Sequence, residues 1–321
     1  MKPLRVMLVT LAPLAVLALD LPSRSRGIYN PGIARSAPAC GACHRSTPGA
    51  AAGLPRIDVQ LRPTTRSPGA GQAIGVTVTT LGGQTASTRG GFAVEATAGT
   101  FSAGANTNVQ AAGSAITHAS SSARSWSFGY TAPVAPGLVE LFAVSNTVDG
   151  DGNNNSGDMW AFHGVDDRAT IATPVRLFVN ATGVQAIGEG CVGGFGNVPV
   201  LGSRHVPTVG NANFALEVHG APPAAALGLM LGVGAFTPPI DLGLFGIPGC
   251  VLHLSPLVTV NATTGPGDAQ RGEGSATLPV PIPGGPGLRG RTILFQAYLA
   301  DPASGRPLPL TLTNGLAVTL Q

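Results

Sequence analysis

From Ile57 onward the chain alternates apolar and polar residues with a period of two. Ile57, Val59 and Leu61 form one such row, and Ile74, Val76 and Val78 form another. This is the spacing of a strand with one face buried. Further strands are expected at 91–96, 115–118, 125–130, 137–145 and 158–163, with 175–179 closing the set. Turn clusters separate them: Ser67-Pro68-Gly69, Leu81-Gly82-Gly83, 133–136 and 149–157. The pattern predicts one antiparallel β-sandwich over residues 57–180. Residues 181–190 read as a linker. Apolar runs then recur at 214–219, 226–233, 251–260, 277–282, 292–299 and 316–320, punctuated by Pro222-Pro223, Pro238-Pro239, Pro248-Gly249 and Asn314-Gly315. They predict a second sandwich within 185–321. The expected fold class is all-β, two antiparallel β-sandwich domains, because no stripe of period 3.6 occurs past the amino terminus.

Residues 1–18 read as a signal peptide. Lys2 and Arg5 supply its positive start, residues 6–19 its apolar stretch, and Ala18 a small residue for cleavage. The apolar stretch is too short to span a bilayer, so the mature chain is expected to be exported, without a membrane span. It would be periplasmic, cell-surface or secreted, in a compartment where disulfides persist. Residues 19–56 lack any periodicity and read as an irregular leader. Composition agrees with many short strands: 46 Gly and 28 Pro among 321 residues, with 44% hydrophobic and only 10% charged. The formal charge of +3 is spread along the chain. No basic run interleaves with aromatics, which argues against a nucleic-acid partner.

The leader holds the one stretch with chemically meaningful spacing, Cys40-Gly41-Ala42-Cys43-His44. In an exported chain this C-x-x-C-H pattern points to covalent c-type haem, with Cys40 and Cys43 as thioether attachment points and His44 as proximal ligand of the haem iron. A local disulfide or a redox pair is the alternative, although no thioredoxin-like βαβ pattern surrounds the pair. Structural zinc would need a fourth ligand from far away. Candidates for a distal iron ligand are His118, Met159 and His163, with His118 favoured at a strand end. Strand alternation puts Met159 and His163 on one face and Trp160 and Phe162 on the other. Cys191 and Cys250 are expected to form a disulfide, worth about 4 kcal/mol on the chain-entropy model. Asp149, Asp151, Asn153 and Asp158 are candidate calcium ligands, in a loop that also reads as a polar hairpin. No Gly-x-Ser-x-Gly elbow, H-E-x-x-H motif or carboxylate pair suggests catalysis, so no catalytic residue is assigned and an enzyme is not expected.

A family resemblance rests on short motifs in order: Gly90-Gly91-Phe92, Ile116-Thr117-His118, Trp126-Ser127-Phe128 with Thr131-Ala132-Pro133, 137–141, and Gly157-Asp158. Over about residues 35–175 the chain resembles the reeler (reelin N-terminal-like) domain, in the exported bacterial form called choice-of-anchor V. In that form a C-x-x-C-H segment commonly precedes the sandwich. The resemblance implies a cell-surface or secreted β-sandwich and brings no established activity. The chain departs from it in having no membrane or sorting anchor after the sandwich. Residues 185–321 resemble a C-terminal domain common on exported bacterial proteins, through Gly190-Cys191, Ala221-Pro222-Pro223-Ala224, Pro248-Gly249-Cys250 and 313–316. The function expected is electron transfer through one haem, with other redox or cell-envelope proteins as partners. The alternative is a structural or adhesive envelope protein without haem.

Overall fold

A computed structural model describes residues 27–153, 155, 157–268, 271 and 273–321. The expected signal peptide lies outside the described residues. The first unit contains β1 (Asp58–Pro63), β2 (Ala73–Leu81), β3 (Gly90–Ala96), β4 (Thr100–Ser102), β5 (Thr107–Gln110), β6 (Ala115–His118), β7 (Ser125–Thr131), β8 (Gly137–Thr147), β9 (Met159–Phe162) and β10 (Val175–Val179). A 4-stranded sheet runs β1-β2-β7-β4 and a 6-stranded sheet runs β10-β8-β3-β6-β5, with β9 paired to the far end of β8. All these pairs are antiparallel. Alternation along β2 and β7 sends Ile74, Val76, Val78, Trp126, Phe128 and Tyr130 inward, against Phe92, Val94, Leu141 and Leu177 of the other sheet. The expected sandwich is therefore present. β4 and β5 are additions to the expected strands, too short for a periodic signal.

The 6-stranded sheet has a second apolar face. Residues Ala93, Phe142, Val144, Trp160 and Phe162 form a separate cluster with Ala34 and Ala39 of the leader. This explains why β3 and β9 are buried at every position instead of alternately. The leader is irregular, as expected, and its described part is docked. Ala34 N–H and the Arg35 guanidinium both bind the buried Glu95 carboxylate, at 3.2 and 2.9 Å. Trp160 Nε1–H donates to Arg45 O at 2.6 Å, and Trp160 O accepts from Gly49 N–H at 2.8 Å. Such contacts are made one residue at a time and leave no period in the sequence.

The second unit contains β11 (Val184–Ile187), β12 (Val200–Gly202), β13 (Ala215–Ala221), β14 (Ala226–Gly232), β15 (Gly234–Asp241), β16 (Val251–Ser255), β17 (Val258–Thr263), β18 (Gly274–Pro279), β19 (Thr292–Ala300) and β20 (Leu310–Thr319). A 5-stranded sheet, β11-β20-β19-β14-β17, faces a 3-stranded sheet, β12-β13-β18 across Leu216, Val218, Leu229, Phe295, Ala297 and Leu316. The β15–β16 hairpin covers part of the other face of the larger sheet through Leu254, Met230 and Leu294. Three expectations are corrected here. The linker at 181–190 contains β11, which pairs in register with β20. The single run at 251–260 is two strands in different sheets, broken by Pro256. Pro238-Pro239, read as punctuation, lies within β15, where the register shifts between Ala235 and Ile240 and no ladder N–H is needed. The expected Cys191–Cys250 disulfide is present, its sulfurs 2.03 Å apart, and both residues pack with Ile247 and Leu312.

The two units meet closely. Arg176 of β10 is buried and pairs with Glu273 at 2.8 Å and Glu140 at 3.5 Å. Its Nη1–H also donates to Asn197 Oδ1 at 3.2 Å. Phe178 packs on Gly202, where a Cβ would fall 2.0 Å from the ring.

Candidate functional site

The Cys40-Gly41-Ala42-Cys43-His44 stretch begins in a short 3₁₀ turn, Ala39–Ala42. Gly41 lies flat on the Trp160 indole; a Cβ there would meet Cζ2 at 2.9 Å. The motif tolerates this close approach because its second residue is glycine. The turn forms one wall of a cleft that encloses about 150 Å³ and opens to solvent. Cys40, Cys43, His44 and His118 all line it. Gly90 and Gly91 of β3 lie against the same cleft, and the bare Gly91 Cα admits the His118 ring, whose Cε1 would be 2.4 Å from an added Cβ. The antiparallel pairing of β3 with β6 thus carries His118 to the leader motif.

The two thiols are free. Burial above all, and Cys43 beside it, push the Cys40 thiol up to about 12. A thiol held protonated at neutral pH is a poor nucleophile, which disfavours a redox-active pair. His44 is held at both ring nitrogens: Nδ1 lies 2.8 Å from Asp158 Oδ2, and Nε2 lies 2.9 Å from Asn146 Nδ2. With Nδ1–H donating to the carboxylate, Nε2 keeps a lone pair and accepts from the amide. His118 Nδ1 lies 3.0 Å from Phe92 N and 3.3 Å from Phe92 O, so the backbone can serve either tautomer. Burial, opposed by the Phe92 hydrogen bond, lowers the His118 pKa and favours the neutral ring. His118 Nε2 has no hydrogen-bond partner among the described residues, and neither has the buried Asn146 Oδ1.

Two unjoined thiols at attachment spacing, an adjacent imidazole and a second imidazole share one cleft, the donor set that a c-type haem would need. Met159 and His163 do not share it. Both point to the inner face of β9, as alternation implied; Met159 is in the sandwich core and His163 Nδ1 contacts Val59 O at 2.6 Å. The calcium candidates are engaged with backbone N–H groups and with one another. Asp149 Oδ1 and Asp151 Oδ1 accept the N–H groups of Asp151 and Asn153 within their own loop, at 3.1 and 2.7 Å. Asp158, whose Oδ1 accepts Asp149 N–H at 3.1 Å, turns its other oxygen to His44. Among the described residues no group of three or more His, Cys, Asp or Glu side chains is arranged to hold a metal ion. Asn146 is the residue that sequence reasoning missed at this site; Asp158, read there as a calcium candidate, is joined to His44 only by the fold.

Burial also lowers the pKa of His163 and His253. A histidine favoured as neutral in the native state leaves stability full above its unfolded value, about 6.5, and reduces it as pH falls toward the lower native value. Urea midpoints are therefore expected to drop between pH 7.5 and 5. His163→Gln should flatten that slope; an unchanged slope would show that His163 does not titrate with unfolding.

No protein-family model matches the chain, and no curated protein matches it. Among the described residues, no helix is long and apolar enough to cross a membrane. Similar solved structures include the D1–D4 ectodomain fragment of ICAM-5, at 14% identity over 83% of this chain and 50% of that one, with a TM-score of 0.21. The adhesin InvE of Yersinia pseudotuberculosis is similar at 17% identity over 82% of this chain and 58% of that one, TM-score 0.20. A DUF4466 family protein from Parabacteroides merdae is similar at 6% identity over 82% of this chain and 98% of that one, TM-score 0.26. This chain thus spans about half the length of the ICAM-5 fragment. At such TM-scores no function is carried over; the chain is an all-β protein of antiparallel sandwiches with a cleft beside its Cys-Gly-Ala-Cys-His turn.

Proposed function

We propose that this chain is a non-enzymatic β-sandwich protein of the cell envelope, exported to the periplasm or cell surface, and that its first sandwich holds one c-type haem. The observation that supports the reading is the meeting of Cys40, Cys43, His44 and His118 on one cleft, although His118 stands more than seventy residues after the motif. The order of reeler-like motifs agrees with it. Cys40 and Cys43 would tether the group, His44 Nε2 would take the proximal position, and His118 would supply a distal nitrogen. A haem held there provides a one-electron couple. The chain's own contribution is to orient the two imidazoles, cover part of the group with Phe92 and the leader, and leave a mouth where redox partners dock.

A second reading is a structural or adhesive envelope protein without haem. It is favoured by the exposed apolar side chains on and beside the edge strand β17: Val233, Leu257, Val258 and Val260. An apolar group of this kind marks a contact surface.

The two readings separate on one preparation. Protein made in cells able to mature c-type cytochromes should show a Soret band that survives acid-acetone extraction and a mass increase of one haem. His118→Ala should then alter the low-spin spectrum; an unchanged spectrum would remove His118 from the iron. A colourless product with Cys40 and Cys43 joined to each other would leave the scaffold reading alone.

A further inference from the structure

Asp158 is almost fully buried, at 1% exposure, and its Oδ2 lies 2.8 Å from His44 Nδ1. No Arg or Lys side chain neutralises it within 4.0 Å among the described residues. A carboxylate buried without a cation is costly unless hydrogen bonds compensate it. Here those bonds are the Asp149 N–H on Oδ1 and the His44 ring on Oδ2. On the far side of the ring, Asn146 Nδ2 reaches Nε2 while its own Oδ1 stays buried and unpartnered. The chain therefore carries a row of three side chains, Asp158, His44 and Asn146. It fixes which nitrogen of His44 bears the proton and where the other one points.

We propose that Asp158 is the positioning residue for His44 as an iron ligand, a role that rests on the haem reading above. An anionic acceptor on Nδ1–H holds the Nε2 lone pair toward the cleft. It also makes that nitrogen a stronger donor than a backbone carbonyl would, the usual effect of a carboxylate behind a ligating histidine. A stronger donor favours ferric over ferrous iron, so the couple lies lower than it would with a neutral partner on Nδ1. Asn146 Nδ2 occupies His44 Nε2 when no metal does.

Two measurements test this and separate it from the haem reading. In haem-free wild-type protein, long-range ¹H–¹⁵N correlation should show His44 as the Nδ1–H tautomer. This needs no variant; finding the Nε2–H tautomer would overturn the assignment. In haem-loaded protein, Asp158→Asn keeps the side-chain shape and removes the charge. It should raise the reduction potential by about tenfold in the ferric/ferrous balance, about 59 mV for one electron. Haem attached but an unmoved potential would overturn the role of Asp158 and leave the haem reading intact. No attached haem in the wild type would sink the haem reading, and with it the role of Asp158 toward iron, even with the Nδ1–H tautomer in place.

Discussion

Trp160→Ala is expected to destabilise the first sandwich by about 3–5 kcal/mol, the usual loss for truncating a fully buried Trp, and to lower its Tm by on the order of 10 °C. The size follows from position. Trp160 has no exposed surface, stacks edge-on against Phe162 at 5.4 Å, supports Gly41, and binds the leader at both Arg45 and Gly49. Removing it opens a void between sheet and leader at the place where the Cys-Gly-Ala-Cys-His turn rests. A second result should accompany the loss: Cys40, now inert and half-buried, should react faster with a thiol reagent. Trp160→Phe keeps most of the apolar area and loses the indole hydrogen bond, so about 1 kcal/mol is expected. Calorimetry with a thiol-labelling time course checks both. Equal labelling rates in wild type and Trp160→Ala would mean that the turn does not depend on the ring.

Arg176→Ala is the other large change. The guanidinium is 4% exposed and ties Glu140 of the first unit to Glu273 of the second. Removing it takes the buried cation from Glu140 and leaves Glu273 with Arg271 at 3.6 Å; breaking a fully buried pair costs about 3–5 kcal/mol, and the partial exposure of both carboxylates puts this loss at about the lower end. The loss falls on the junction, so differential scanning calorimetry should resolve one transition in the wild type into two in the variant. Replacing Arg176, Glu140 and Glu273 together by apolar residues of similar volume should recover much of the stability. A variant that unfolds in a single transition at an unchanged temperature would show that the junction is held by packing alone.

How far the sequence revealed these features depended on whether each interaction was periodic. Ile74, Val76 and Val78 announced their strand because one face of β2 meets a continuous core and the other meets solvent. The leader gave no such sign: Ala34, Arg35 and Arg45 are held by Glu95 and Trp160, single partners that lie far along the chain. Val184–Ile187 was read as linker because four residues between glycines are too few for a pattern. Pro222-Pro223 does mark a break between strands, but Pro238 and Pro239 lie in β15, an irregular hairpin arm whose ladder skips them. At the candidate site, the motif, His118 and Asp158 were each visible as residues. Asp158 looked like part of a polar loop because its partner His44 is 114 positions away. Chemistry carried by adjacent residues was legible; chemistry assembled by register was not.

The passage from the first sandwich to the second is brief. Only Asn180, Ala181, Thr182 and Gly183 separate β10 from β11. Asn180 N–H bonds Pro68 O, Asn180 Oδ1 takes Ser203 N–H, and Ala181 N–H bonds Ser203 O. A segment so fully engaged has no slack for a hinge. The two sandwiches should tumble as one body, and whatever grips the carboxy-terminal one will find the Cys-Gly-Ala-Cys-His turn at a constant distance and bearing.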